Sequence, residues 1–172
     1  PAFGITSSGA ILVGQAIGHG DLDEVRGIVR RTASVTAIWQ GSVALMYLCI
    51  PGILIGLFAP PDQASGELIA IGTTILALSA AWQLFDSVAM TLSEALRAAG
   101  DTAWSLWVRL GMAWFLFMPL SILTVLVWDG GYVAAVLCIV VYVAVLAAVL
   151  LWRFRSGKWR DMDLTGDEPV LV

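Results

Sequence analysis

An all-α integral membrane protein, built as a bundle of about five transmembrane helices, is the fold class that the 172-residue sequence predicts. Three observations lead there. Hydrophobic residues make up 59% of the chain, mean hydropathy is +0.89 and only 13% of residues are charged, a composition of membrane-embedded rather than soluble domains. The apolar residues gather in stretches of about 20 or more, the helical length that crosses a bilayer core, at about 1–18, 33–58, 68–98, 103–128 and 132–152. With five crossings, all nine basic residues fall on one side of the membrane.

Each span has readable limits. The first runs into Gly18-His19-Gly20-Asp21, a turn-rich break. Residues 21–31 read as a short amphipathic helix at a membrane surface, with acids at its start and bases at its end as the helix dipole favours. The second span carries Pro51 and is stopped by Pro60 and Pro61, which cannot continue a helix. The third carries Gln83, Asp86 and Glu94 and stops at Gly100. The fourth has Pro119 at its middle and turns at Asp129-Gly130-Gly131. The fifth leads to a polar tail at 153–172. Pro51 and Pro119 each free a carbonyl one turn earlier and mark places for their spans to bend.

The bases set the orientation. Arg26, Arg30 and Arg31 lie in the first loop, Arg97 and Arg109 flank the third, and Arg153, Arg155, Lys158 and Arg160 open the tail. The second and fourth loops hold Asp62, Glu67 and Asp129 and no base. Positive residues stay cytoplasmic, so the sequence places a multi-pass protein in the cell's inner (plasma) membrane with a cytoplasmic C-terminus. Trp104, Trp107, Trp128, Trp152 and Trp159 stand near span ends, where amphipathic rings favour the interface. The net charge of −4 comes from scattered carboxylates and points to no nucleic-acid partner.

Several patterns read as architecture. Gly14 and Gly18 form a G-x-x-x-G continued by Gly4, Ser7, Ser8 and Gly9, small residues that let helices approach. Cys49 and Cys138 have no metal-type spacing and read as packing residues; no metal site is expected. His19 reads as solvated. The chain has no initiator Met and opens inside an apolar run, so it is expected to begin partway through a larger protein.

Asp86 is the sharpest candidate. It lies about 20 Å along a helix from the break at Gly100, close to mid-bilayer, where a carboxylate costs at least about 2.5 kcal/mol on insertion scales and usually faces a cavity. Helical spacing puts Gln83, Ser87, Met90, Glu94 and Arg97 on the same broad face, a candidate cavity lining. The bland alternative makes Asp86 a hydrogen-bonded structural residue and Glu94 half of an interfacial pair with Arg97.

Three stretches together resemble one family. Ile11-Leu12-Val13-Gly14-Gln15-Ala16-Ile17-Gly18 with Asp21, Pro51 seven residues before Phe58, and Gln83-Leu84-Phe85-Asp86 leading to Leu96-Arg97-Ala98-Ala99-Gly100-Asp101-Thr102 look like the second half of a multidrug and toxic compound extrusion (MATE) transporter. The resemblance extends to about Lys158-Trp159. It implies helices eight to twelve of a twelve-helix, two-lobed fold, an incomplete C-terminal lobe. It also implies secondary active efflux of amphipathic or cationic xenobiotics in exchange for Na+ or H+, by alternating access, with no other cofactor. Asp86 matches the family's tenth-helix carboxylate, the residue that couples the cation. The partners implied are substrate, coupling cation, lipid bilayer, and the N-terminal lobe and first helix of the C-terminal lobe that this sequence lacks. Ala98 departs from a glycine common in the family.

Other readings are weaker. A lipid-linked oligosaccharide flippase of the same superfamily would present clustered bases to a pyrophosphate, and no base is read mid-span. Phe85-Asp86 and Ala99-Gly100-Asp101 resemble the aspartates of an intramembrane protease, but 15 residues of one helix hold them roughly 22 Å apart, too far to share a proton; no enzyme is expected. A non-transporting membrane scaffold leaves Asp86 without a purpose.

Overall fold

The structure, a computed structural model, describes residues 1–58, 66–127 and 130–162. Those residues fold into α1 (Ala2–Gly18), α2 (Leu22–Cys49), α3 (Pro51–Phe58), α4 (Gly66–Ala98), α5 (Thr102–Met112), α6 (Met118–Ile122) and α7 (Gly131–Ser156). Two π-helical stretches, Ala113–Phe117 and Leu123–Val127, flank α6, and a 3-10 turn, Lys158–Asp161, follows α7. The prolines expected to end the second span, Pro60 and Pro61, and the residues Asp62, Trp128 and Asp129 lie outside the described residues.

The 33-residue α4 is the axis of the bundle, with α1, α2 and α3 packed on it and α7 along another side. Among the described residues, three helices are long and apolar enough to cross a membrane: α4, the unit from Thr102 to Val125, and α7. A fourth crossing exists if α2 and α3 count as one broken span. α1 is a further apolar helix, of 17 residues in this chain. The five apolar stretches counted in the sequence correspond to three long helices, one broken helix and the apolar α1.

Residues 21–31 are not a separate surface helix. They form the first turns of α2, which runs on without interruption into the apolar segment. Nothing between Arg31 and Ala33 breaks a helix, and the apolar face, Val25 and Val29, is covered by protein rather than membrane, since both are buried in the core cluster. The helix start is nevertheless as its sequence dictates: Asp21 Oδ1 accepts from the Glu24 backbone N–H at 3.3 Å, an N-cap bond that satisfies an orphan donor.

Two Gly-Asp steps turn the chain at the same end of the bundle. Gly20 (φ 79°) and Gly100 (φ 84°) take the left-handed conformation that costs other residues most. In both, the following Asp donates its N–H five residues back, Asp21 to the Ala16 carbonyl and Asp101 to that of Leu96, each at 2.9 Å. This is the Schellman closure, which satisfies the last helical carbonyls.

The two span prolines behave differently. At Pro51 the axis bends by 87°. Ile50, the residue before it, leaves the helical region at φ −131°, as clash with the pyrrolidine ring demands, and α3 starts afresh with Pro51 at its first position, where no N–H is needed. The helix then folds onto α4, placing Ile55 against Gly72. Pro119 causes no such break. The preceding turn widens instead into the π-helical stretch, with the Met118 N–H reaching the Ala113 carbonyl, a local way to absorb a missing donor.

The small-residue pattern of α1 works at one position only. A side chain at Gly9 would collide with Thr32 of α2, whereas Gly14 and Gly18 face open space, so the G-x-x-x-G does not form the contact. Gly9→Val is therefore expected to lower stability by about 1–3 kcal/mol through overpacking. Gly14→Ala should instead be neutral or stabilising by up to about 1 kcal/mol from helix entropy. Thermal melting of the purified protein in detergent checks both; equal melting of the two variants would refute the assignment.

Of the cysteines, Cys138 is buried, with its Sγ 3.1 Å from Thr124 Oγ1, and Cys49 is exposed, so only Cys138 packs as read. Trp107 and Trp152 are exposed near helix ends, but Trp159 is not interfacial. It is 2% exposed in the core, stacked on Phe154 at 5.5 Å, and its Nε1 donates to the Phe154 carbonyl at 2.9 Å. Residues 157–162 thus fold back on the bundle, and Arg160 reaches Asp23 of α2 at 3.0 Å.

Candidate functional site

Asp86 lies 12 residues before the end of α4, about 18 Å into the helix. Its Oδ2 accepts a hydrogen bond from Gln40 Nε2 of α2 at 3.3 Å. Its other side opens on a cavity of about 420 Å³ between α4, the α5–α6 unit and α7. Trp82, Asp86, Ala89 and Met90 line it from α4; Arg109, Ala113 and Phe117 from the next helix; Ile139, Tyr142, Val143 and Leu146 from α7. Phe117 and Tyr142 close one wall with rings 5.6 Å apart. The hydrogen bond and the cavity, which the sequence posed as alternatives, occur together.

The broad polar face on α4 divides in two. Met90 joins Asp86 at the cavity; Gln83, Ser87 and Glu94 do not line it. At about 100° per residue, Gln83 and Ser87 lie roughly 60° and 100° round the helix from Asp86, on the side away from the cavity-lining Ala89. Both are instead buried: Ser87 Oγ donates to the Leu84 carbonyl at 2.7 Å, and Gln83 Oε1 is buried with no hydrogen-bond partner among the described residues. Glu94 pairs with Arg97 at 2.7 Å, three residues on.

Sequence reasoning missed Arg109. Read as flanking a loop, it is seven residues past the start of α5, about 10 Å into the helix, and its guanidinium turns into the cavity, donating to Ser93 Oγ at 3.2 Å. It lines the same cavity as Asp86. The one available signal was its distance from Gly100, too long for a base anchored at the loop. Gln40, the direct partner of Asp86, carried no signal, being 46 residues away in sequence.

A second polar centre lies at the end of the bundle. Arg153 of α7 grips Asp101 through Nε to Oδ2 at 2.7 Å and Nη2 to Oδ1 at 3.2 Å, and both residues are buried. The Arg153 guanidinium also lies 4.8 Å from the centre of the Trp104 ring. Asp101 occupies the N-cap position of α5 yet makes no capping bond, because Arg153 takes its carboxylate. Among the described residues, no group of three or more His, Cys, Asp or Glu could hold a metal ion.

A bundle of apolar helices around a cavity that holds one buried-side carboxylate and one guanidinium defines the class: an all-helical membrane protein with an ionisable interior site. The family follows from comparison. The MatE family model matches residues 1–123, and the chain belongs to that family, the one its sequence resembles. Probable multidrug resistance protein NorM of Thermotoga maritima is 26% identical over 170 residues, covering 99% of this chain and 36% of the relative. The protein of the same name from Pseudomonas aeruginosa is 29% identical over 133 residues, 77% of this chain and 27% of the relative. That from Pseudomonas syringae pv. tomato is 28% identical over 134 residues, 74% and 28%. The chain spans about a third of the length of these relatives.

Proposed function

We propose that this chain is the C-terminal part of a secondary active multidrug efflux transporter that exports amphipathic or cationic compounds in exchange for Na+ or H+. One observation carries the reading: the mid-helix carboxylate of Asp86 lines a cavity between helices, in a chain whose relatives are named probable multidrug resistance proteins. A group that binds a cation in one conformation and releases it in another is what alternating access needs. Asp86 would hold the ion, with Met90, Tyr142 and Phe117 giving the cavity a soft, largely apolar wall suited to amphipathic cargo. The oligosaccharide flippase is less favoured, because Arg109 is the lone base lining this cavity among the described residues and Asp86 offsets it. The test is accumulation of a fluorescent cationic drug in cells expressing the whole transporter, with the ion gradients intact or collapsed by ionophores. Lower accumulation that disappears with one gradient supports the reading, and accumulation equal to that of empty cells refutes it.

The orientation proposed is basic end cytoplasmic, in the inner membrane. It is supported by the gathering of Arg160 with Asp23 and of Arg153 with Asp101, which brings the first loop, the third loop and the tail to one end, all carrying bases. Single cysteines at Glu67 and Lys158, in a background lacking Cys49 and Cys138, are expected to label from opposite sides of sealed vesicles. Labelling of both from one side would overturn the topology.

A further inference from the structure

We propose that the groove between α2, α4 and α7 at the basic end of the bundle is a binding site for an anionic phospholipid, whose phosphate is held by Arg26, Arg30 and Arg155. The groove has a volume of about 530 Å³, within the range of small-ligand sites. Arg26 and Arg30 stand one turn apart on α2, on one face, and Arg155 faces them from the last turn of α7. Beneath these three heads the floor is apolar: Val88 and Leu92 of α4, Leu151 and Phe154 of α7, closed by Val29 and Ala33.

Two features select a lipid. The first is charge. Arg97, Arg153 and Arg160 are each paired with a carboxylate, whereas among the described residues Arg26, Arg30 and Arg155 have no carboxylate within ion-pair distance. Three uncompensated guanidiniums on one rim call for an anion, and their forked donors match phosphate oxygens. The second is the shape of the floor. From Arg155 to Leu151 is about 6 Å along α7, and Val88 lies about 15 Å inside the end of α4. The apolar strip therefore runs from the headgroup level into the acyl region, where a free phosphate has nothing to gain and an acyl chain does. Basic pockets between transmembrane helices on the positive side are where anionic headgroups bind. This site is separate from the Asp86 cavity, and the two share no lining residue.

The experiment is native mass spectrometry of the full-length protein, purified in detergent and titrated with dioleoyl-phosphatidylglycerol or dioleoyl-phosphatidylcholine. Wild type is expected to retain phosphatidylglycerol in preference to phosphatidylcholine. Arg26→Gln with Arg155→Gln should weaken that retention on the order of tenfold. The same number of charges removed elsewhere at this end, Arg97→Gln with Lys158→Gln, should leave it near wild type. Arg26→Lys with Arg155→Lys should keep most of it, and its binding shows that a loss in the Gln pair is not misfolding. Ala33→Trp keeps every charge but fills the floor, and should also lose the lipid. Equal loss from the groove pair and the control pair would reduce the effect to net charge and overturn the site. So would displacement of the lipid by excess inorganic phosphate together with unchanged binding by Ala33→Trp, which would make it a phosphate site. Retention unaffected by any groove variant would overturn it outright.

Discussion

Asp86→Asn in the whole transporter is expected to abolish coupled export while leaving the protein folded and in the membrane. The substitution removes the charge and little else. Asn keeps the size of Asp, and its side-chain oxygen can still accept from Gln40 Nε2, the 3.3 Å bond that fixes Asp86 in the structure. It cannot bind a proton or neutralise a sodium ion. Insertion should ease, because a mid-bilayer carboxylate costs at least about 2.5 kcal/mol. Drug accumulation at matched expression is the measurement, with Gln40→Leu as the comparison. A merely structural Asp86 makes the opposite prediction: Asp86→Asn would be nearly silent because the bond survives, and Gln40→Leu would be the damaging change. Export by Asp86→Asn at the wild-type level, with its ion dependence intact, would end the site assignment.

What the sequence disclosed and what it withheld divide along a physical line. Features set by local chemistry were legible. Turns at Gly20 and Gly100 follow from glycine's left-handed freedom, apolar length announces the membrane helices, and a carboxylate far from either end of a span must find a polar neighbour. Features set by distant partners were not. Nothing local tells that Gly9 rather than Gly14 meets α2, since both are small residues on one helix and only the crossing point distinguishes them. Pro51 and Pro119 look alike in sequence, yet one gives an 87° bend and the other a widened turn. After Pro51 the chain folds back onto α4, with Ile55 against Gly72. The positive-inside pattern treats bases as equivalent cytoplasmic charges, so Arg153, which is buried, and Arg155, which is exposed, were indistinguishable.

Arg153 carries the largest stability effect expected in this chain. It and Asp101 are tied by two hydrogen bonds, at 2.7 and 3.2 Å, 52 residues apart in sequence, and these fix the end of α7 to the start of α5. Burial makes the pair costly to break rather than favourable to own, because removing one partner strands the other charge without water. Arg153→Met is thus expected to destabilise by about 3–5 kcal/mol, leaving Asp101, only 2% exposed, uncompensated. The contact with the Trp104 ring is lost as well, adding roughly 0.5–1 kcal/mol or more where desolvated. Asp101→Leu should cost a similar amount by stranding the guanidinium. The double variant should recover most of the loss, since two apolar side chains of similar volume then meet where two charges met. Thermal and denaturant unfolding of the purified protein in detergent, followed by tryptophan fluorescence, gives the cycle directly. Single variants that melt within about 1 kcal/mol of wild type would mean that the pair is solvated in the membrane protein, and a double variant no better than the singles would mean that Arg153 matters through Trp104 rather than Asp101.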